Sequence, residues 1–300
     1  MADGRLVRAI GAVMMLAAGS RAAAAEAPAR TRQILWVDGV KNAYPRWSKD
    51  GRRILYESNR TGKWQLYVMD ADGSHDRALT SGSADNQLPD WSPDNAWIAF
   101  VSNRDGNDEI YVMREDGTGL RNLSNCPARE IHPYWSPDGA WILFNSDRDG
   151  GALQLYEVRP DGTGLHRLAV SEDEETCARV SPQGDRIVLL ANLKEGRDDV
   201  LVRRRDGSNP VNLTRDAAAD GWPTWTPSGR RIIYASQRGG PFALYSMKPD
   251  GSDVRQVTFP DKPFSDARPS VSSDGRRIVF NREKGETIGI FVTDLAPASR

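Results

Sequence analysis

The sequence is poor in the residues on which most catalytic and metal sites depend. Its 300 residues include two cysteines and three histidines, His75, His132 and His166. No pair of these histidines has the spacing of zinc ligands on one helix face. The chain also lacks a Gly-x-Ser-x-Gly nucleophile motif and a glycine-rich phosphate loop before a helix. These absences argue against zinc, serine-hydrolase and nucleotide chemistry, and we predict no metal and no cofactor.

An excess of positive charge is missing as well. Lysine and arginine number 40 against 41 aspartates and glutamates, so the formal net charge is −1. A nucleic-acid-binding domain normally carries basic residues clustered on one face. We therefore expect no nucleic-acid partner.

Long apolar runs are absent, with one short run near the N-terminus. Two arginines precede the apolar residues 9–18, and the small residues Ala23, Ala24 and Ala25 stand directly before Glu26. This order is typical of a cleavable secretory signal, and the run is shorter than the roughly 20 residues that span a bilayer. We predict a signal peptide at 1–25, a propeller domain at 26–300, no transmembrane segment, and a periplasmic or secreted location.

A repeat of about 44 residues organises the remaining sequence. Its anchor is the phrase Trp-Ser-Pro-Asp-Gly, complete at residues 135–139. Six copies follow one another at spacings of 44, 44, 45, 45 and 46 residues, a period typical of propeller blades. The six anchors begin at Trp47, Trp91, Trp135, Val180, Trp225 and Val271.

Each repeat predicts a four-stranded antiparallel blade. Seven and nine residues after the anchor stands an alternating apolar pair, such as Ile142 and Phe144, which is typical of a strand with one buried side. A third apolar segment follows, and in five repeats it leads to an Asp-Gly pair. Asp-Gly favours a hairpin turn because glycine tolerates positive φ, so a short fourth strand is expected after it.

The sixth repeat ends one strand early, at Asp294. Residues 33–36 stand upstream of the first anchor, where a fourth strand is expected. We therefore predict that the N-terminal strand completes the last blade and closes the ring. The predicted fold is all-β, a six-bladed β-propeller of four-stranded antiparallel blades.

The blades resemble those of the TolB-like propeller family, whose WD40-like repeat is called PD40. The resemblance rests on Trp-Ser-Pro-Asp-Gly at 135–139, Ser-Asp-Arg-Asp-Gly at 146–150 and Asp-Gly at 161–162, and it extends over 33–294. It implies a periplasmic propeller that binds other proteins of the cell envelope. About seven residues separate the predicted cleavage point from the closing strand, so the chain is predicted to lack the N-terminal domain that precedes the TolB propeller.

The predicted function is a non-catalytic protein-interaction or scaffolding module with an envelope protein as its partner. The alternative is a propeller that binds a small molecule, a cation or a glycan, with lyase or hydrolase activity on carbohydrate. Paired acids such as Glu130 and Glu175 would then supply the acid and the base. Similar blades also accompany prolyl-oligopeptidase-type peptidases, but the catalytic motif of those enzymes is absent.

The loops that lead into the first strands are expected to form the mouth of the central channel. Five residues before each anchor stands a polar group, acidic in four repeats, and mutual repulsion of these acids favours a cation or a basic partner group. Three residues before the anchor stand larger side chains of the kinds that interfaces favour. The alternative is that the acids only cap strand ends. The predicted binding residues are Asn42, Asn86, Glu130, Glu175, Asp220, Asp266, Tyr44, His132, Trp222 and Arg268.

The repeated tryptophans and arginines are predicted to be structural, because recurrence at a fixed period is typical of architecture. The tryptophans are expected to pack blade against blade, and the arginines to form ion pairs or carbonyl contacts at the second hairpin. The arginines are Arg60, Arg104, Arg148 and Arg238.

Cys126 and Cys177 lie in loops that lead into neighbouring blades, so the sequence leaves a disulfide between them open.

Overall fold

The computed structural model describes residues 30–168, 171, 173–193, 197–215 and 217–295. In these residues the chain forms six four-stranded sheets whose strands pair in antiparallel fashion. The predicted six-bladed propeller is confirmed. The predicted signal peptide lies outside the described residues.

The first three blades follow the repeat closely. Strand β1 (Arg32–Leu35) precedes them. Blade 1 contains β2 (Asn42–Trp47), β3 (Arg53–Ser58), β4 (Gln65–Asp70) and β5 (Arg77–Ala78). Blade 2 contains β6 (Asn86–Trp91), β7 (Trp97–Ser102), β8 (Glu109–Arg114) and β9 (Arg121–Asn122). Blade 3 contains β10 (Glu130–Trp135), β11 (Ile142–Ser146), β12 (Gln154–Val158) and β13 (His166–Arg167).

The last three blades complete the ring. Blade 4 contains β14 (Glu174–Val180), β15 (Arg186–Leu193), β16 (Arg197–Arg204) and β17 (Val211–Asn212). Blade 5 contains β18 (Asp220–Trp225), β19 (Ile232–Ser236), β20 (Ala243–Met247) and β21 (Arg255–Gln256). Blade 6 contains β22 (Ser265–Val271), β23 (Arg277–Lys284) and β24 (Thr287–Asp294), and β1 is its fourth strand.

The N-terminal strand closes the propeller, as predicted. β1 pairs with β24 in antiparallel register, with Gln33 opposite Phe291 and Leu35 opposite Ile290. Trp36, directly after β1, packs edge-on against Phe264 and Phe291 with ring centroids 6.1 Å apart in each pair. Blade 6 therefore gains its fourth strand from the start of the chain, which covers an edge that would otherwise be open for pairing.

Replacing Trp36 with alanine is expected to lower the free energy of unfolding by about 2 kcal/mol. The half-buried indole contributes apolar contact and two edge-to-face pairs, each worth about 0.5–1.5 kcal/mol. Val37→Ala is the control, since Val37 is 47% exposed and lies next in the chain. Urea denaturation of both variants checks the prediction, and equal stabilities would mean that Trp36 does not hold the closing strand.

The anchor phrase forms the turn between the first and second strands of a blade. In blade 1 the Ser48 hydroxyl donates to Asp50 Oδ1 at 2.6 Å and accepts from the backbone N–H of Arg53 at 2.9 Å. Gly51 has a φ of 69°, a conformation that glycine adopts without strain. In the second repeat Asn95 takes this place with a φ of 60°, which asparagine tolerates better than most residues. Repetition of the phrase thus reflects the need for one turn geometry.

The four anchor tryptophans pack between blades, as predicted. Trp47, Trp91, Trp135 and Trp225 are 1–7% exposed. Each lies in a cluster that joins two neighbouring blades, and the cluster of Trp135 includes residues of blades 2 and 3. The first strands contact one another from blade to blade, so they surround the central axis and place their side chains around the channel.

Candidate functional site at the channel mouth

A β-bulge interrupts the first strand of every blade. In β2 the pairing register shifts between Ala43 and Arg46, and the other five first strands shift at the equivalent place. The residue three before each anchor has a φ between 48° and 55°. Such values are uncommon and strained for bulky residues, and bulges commonly redirect a side chain. These six residues, the bulge ring, are Tyr44, Leu88, His132, Cys177, Trp222 and Arg268.

The neighbouring blade supports the strained backbone in at least two places. The N–H of Tyr44 donates to Asn281 Oδ1 on β23 at 3.0 Å. The N–H of Leu88 donates to the carboxylate of Glu57 on β3. In both cases the acceptor belongs to the second strand of the preceding blade. The bulge is thus part of the contact between blades.

Four members of the bulge ring line one pocket of about 320 Å³ at the channel mouth. Tyr44, Leu88, His132 and Arg268 come from four consecutive blades, and Glu57 lies with them in the pocket wall. We call this cavity the mouth pocket. Its lining mixes apolar side chains with charged ones, among them Lys41, Asp108 and Arg129.

The other two members of the bulge ring, Trp222 and Cys177, each contact a residue that lines the mouth pocket. The guanidinium of Arg268 lies between two rings, 4.9 Å from the centroid of Tyr44 and 4.6 Å from that of Trp222. Cys177 Sγ lies 3.9 Å from His132 Nε2. Of the residues predicted at this position, Tyr44, His132 and Arg268 line the mouth pocket, and Trp222 contacts it through Arg268.

Two groups beside the mouth change charge near neutral pH. Burial raises the pKa of Glu57 to about 7, although the Leu88 N–H and the charges of Arg268, Arg46 and His132 oppose it. For Cys177, burial raises the pKa, but the charge and hydrogen bond of His132 and the charge of Arg179 outweigh it and bring it to about 7. The electrostatics of the mouth therefore depend on pH in the physiological range.

The residues five before each anchor lie inside the blades. All six are at most 5% exposed, and none of them lines the mouth pocket. Burial raises the pKa of Glu130 and of Asp266, and in each case a bound arginine opposes it. The acid–arginine pairs are Glu130 with Arg148, Glu175 with Arg203 at 2.8 Å, Asp220 with Arg238 at 3.9 Å, and Asp266 with Arg282 at 2.7 Å.

The two amides at this position are also bound within the propeller. Asn86 accepts a hydrogen bond from Arg104 Nη2 at 2.8 Å, and Asn42 Nδ2 lies 3.5 Å from the carbonyl oxygen of Ile288. The structural role predicted for the repeated arginines is confirmed for Arg104, as for Arg148 and Arg238 above. Arg60 also forms an ion pair, but with Asp76 at 2.7 Å.

The question of a disulfide is settled by the structure, in which Cys126 and Cys177 are both free thiols. Within the described residues, no group of three or more His, Cys, Asp and Glu side chains is arranged to hold a metal ion. In the same part of the chain, no helix is long and apolar enough to cross a membrane.

Glu57 was not among the binding residues predicted from the sequence. This residue stands ten positions after its anchor, where the other blades have Val101, Asn145, Leu190, Ala235 and Asn281. A carboxylate at a strand position that is otherwise apolar or an amide is a signal that alignment of the repeats can detect. Its contact with the next blade is not visible from the repeat alone.

A family comparison matches most of the chain. The family described as the TolB beta propeller domain, PD40, matches residues 80–195 and 188–300, which together cover more than half of the sequence.

Solved structures share the fold. TolB from Acinetobacter baumannii has a TM-score of 0.67 at 24% identity, covering 76% of this chain and 56% of that one. A protein described as a candidate TolB from Agrobacterium tumefaciens has a TM-score of 0.67 at 23% identity, covering 86% and 91%. An oligogalacturonate lyase in complex with manganese has a TM-score of 0.60 at 13% identity, covering 90% and 97%.

Two relatives match shorter segments. The uncharacterized protein Atu1656 of Agrobacterium fabrum is 31% identical over 82 residues, which is 27% of this chain and 27% of that protein. The uncharacterized peptidase YuxL of Bacillus subtilis is 32% identical over 88 residues, 29% of this chain and 13% of that protein. The matches thus span about a quarter and an eighth of the relatives, and the same blades occur in proteins named as enzymes.

Proposed function

The chain belongs to the TolB beta propeller domain family, and from this we propose that it is a non-catalytic binding protein that receives a segment of a partner protein at its channel mouth. The tripartite pattern at 1–25 supports export, so we propose a periplasmic or secreted location and an envelope protein as the partner.

The bulge ring is the observation that carries this proposal. All six blades hold a non-glycine residue in a left-handed conformation at the same place, and such a conformation costs on the order of 1–3 kcal/mol per residue. Strain of this kind is retained where the surrounding structure fixes it, and it clusters at functional sites.

The chemistry of the mouth fits a protein ligand. Tyr44, Trp222 and Arg268 are of the types that supply most of the binding energy at interfaces, and all three are half-buried in a fixed stack. Leu88 adds an apolar wall to the mouth pocket. We propose that an amphipathic side chain or a turn of the partner enters this pocket.

The buried residues five before the anchors serve the site indirectly in this proposal. Arg148 in the second hairpin and Arg282 on the second strand pair with two of these acids, and they hold the first strand to the rest of the same blade. The bulge ring lies two residues further along the same strands. The predicted binding set therefore divides into a ring that contacts the partner and a ring that positions it.

Replacing Tyr44 and Leu88 together with alanine is expected to weaken partner binding at least tenfold, because truncation of central interface residues typically costs about 2 kcal/mol or more. The measurement is affinity capture from envelope extract with the tagged protein, followed by titration of the captured partner. Leu120→Ala with Val211→Ala is the control, since these residues are 43% and 45% exposed and lie near the short fourth strands.

Folding of the variants is checked by circular dichroism before capture. A partner that binds the Tyr44→Ala and Leu88→Ala protein as tightly as the wild type would place its site elsewhere. If neither the wild type nor this double variant captures a partner, the proposal of a protein ligand fails.

A further inference from the structure

The channel has a second cavity at its other end, where the first strands run into the anchor turns. Its volume is about 280 Å³, and residues of all six blades line it. We call it the anchor-side cavity. Its wall includes the residue directly before each anchor, which is polar in every blade: Arg46, Asp90, Tyr134, Arg179, Thr224 and Ser270.

Two arginines face each other in this cavity from blades 1 and 4, which stand opposite in a ring of six. Arg46 and Arg179 are each 8% exposed. A guanidinium carries five N–H donors. Arg46 Nη1 donates to its neighbour Pro45 O at 3.4 Å, and Arg179 Nη1 donates to Ala178 O at 2.9 Å. Most of the remaining donors have no acceptor among the described residues, and Arg46 Nε is buried without one.

An aromatic ring holds one guanidinium without using its donors. The guanidinium carbon of Arg179 lies 3.6 Å from the ring centroid of Tyr134. Stacking of this kind engages the face of the guanidinium and leaves its N–H edge available for a planar anion. Arg179 is therefore fixed in place with donors still unused.

The charge of the lining is positive. The lining includes three basic residues, Arg46, Lys49 and Arg179, and a single carboxylate, that of Asp90. Asp90 Oδ1 lies 3.8 Å from Arg46 Nε, beyond hydrogen-bond range, and its Oδ2 accepts from the N–H of Trp135 at 3.0 Å. Burial lowers the pKa of Arg46, and the charge of Arg179 lowers it further. A buried cation without acceptors is costly, and an anion between the two would remove that cost.

Hydroxyl groups complete the donor set. Ser270 Oγ accepts from the N–H of Trp47 at 3.2 Å, which leaves its own O–H free to donate to a ligand. Thr224 also lines the cavity. The volume equals that of roughly nine waters at about 30 Å³ each, which suits a group of a few heavy atoms.

We propose that the anchor-side cavity binds a compact oxyanion, the carboxylate or phosphate group of a small ligand, through Arg46 and Arg179. Charged arginine donors suit both groups, since each presents oxygens that accept two parallel hydrogen bonds. The cavity shares no lining residue with the mouth pocket, although the guanidinium carbon of Arg46 lies 5.9 Å from the ring centroid of Tyr44. The proposal rests on Arg46 and Arg179 and not on the function proposed for that pocket.

Isothermal titration calorimetry of the full chain with inorganic phosphate and with malonate, at constant ionic strength in sodium chloride, tests the proposal. The wild type is expected to bind at least one of them saturably. Arg46→Gln and Arg179→Gln are each expected to weaken that binding at least tenfold, because hydrogen bonds to charged groups contribute about 1.5–3 kcal/mol. Binding of phosphate but not malonate would identify the ligand group as a phosphate, and binding of malonate but not phosphate would identify it as a carboxylate.

Two further variants separate an oxyanion site from a loss of folding. Arg52→Gln removes an exposed arginine from the turn after β2 and should leave binding unchanged. Asp90→Asn removes the carboxylate that competes for the arginines and should tighten binding several-fold, a gain that misfolding does not produce. No saturable binding of either anion by the wild type, or equal binding by Arg46→Gln and Arg179→Gln, would overturn the proposal.

Discussion

Replacing Arg203 with methionine is expected to lower the free energy of unfolding by about 3–5 kcal/mol. Arg203 and Glu175 form an ion pair at 2.8 Å, with side chains 3% and 7% exposed. Removal of the arginine leaves a buried carboxylate without its counter-charge, which is the costly way to break such a pair. Equilibrium denaturation in urea measures the loss.

Two variants show whether the effect comes from the buried charge. Arg204→Met changes the next residue, which is exposed, and should alter stability by less than about 0.5 kcal/mol. Adding Glu175→Leu to Arg203→Met removes the stranded carboxylate and should recover most of the loss. A single variant as stable as the wild type would mean that the pair does not hold blade 4 together.

This result bears on how the predicted acids are tested. Alanine substitutions at Glu130, Glu175, Asp220 and Asp266 would each leave an arginine without its partner inside a blade. Loss of binding in such a variant would report loss of structure. Variants of the bulge ring are therefore the informative ones for function.

The second large effect is a pH dependence caused by Glu57. Its folded pKa is about 7, above the value near 4.3 of an exposed glutamate. The folded protein thus binds the proton more tightly, so the stabilising contribution is complete below about pH 4.3 and is lost as the pH rises through 7. Compared with Glu57→Gln, the wild type should lose about 2.5 kcal/mol of stability between pH 5 and pH 8.

The glutamine variant keeps an oxygen that accepts from the N–H of Leu88, so the comparison isolates the ionisation. Urea denaturation at both pH values measures the difference. Asp261→Asn, at an exposed position, is the control and should follow the wild type at both. A difference between wild type and Glu57→Gln that is the same at pH 5 and pH 8 would show that Glu57 does not titrate in this range.

The repeat made the fold predictable from the sequence. One turn geometry recurs in each blade, so Ser48, Asp50 and Gly51 and their counterparts identify six hairpins. The closing strand followed from counting, because residues 33–36 stand where a fourth strand is missing. Periodicity is strong information when each unit must satisfy the same packing.

The site was less predictable because it depends on departures from the repeat. In blade 4 and blade 6 the arginine of the second hairpin is absent, and Arg203 or Arg282 takes its place from another position. Counting back from the anchor located the acids five residues before it, but it did not locate the arginines that bind them in these two blades. The acids were therefore expected at the channel mouth. The left-handed φ of Tyr44 or Trp222 also has no local signal, since neither residue favours it.

The most direct test of the binding proposal is photo-crosslinking from the mouth. A benzophenone amino acid at Leu88 should be accommodated, because Tyr44 and Trp222 occupy the same place in other blades with the same backbone conformation. The account predicts that irradiation in cells joins one envelope protein to position 88 and none to position 120, where Leu120 is exposed away from the channel mouth. Crosslinks at position 120 alone, or at neither position, would contradict it.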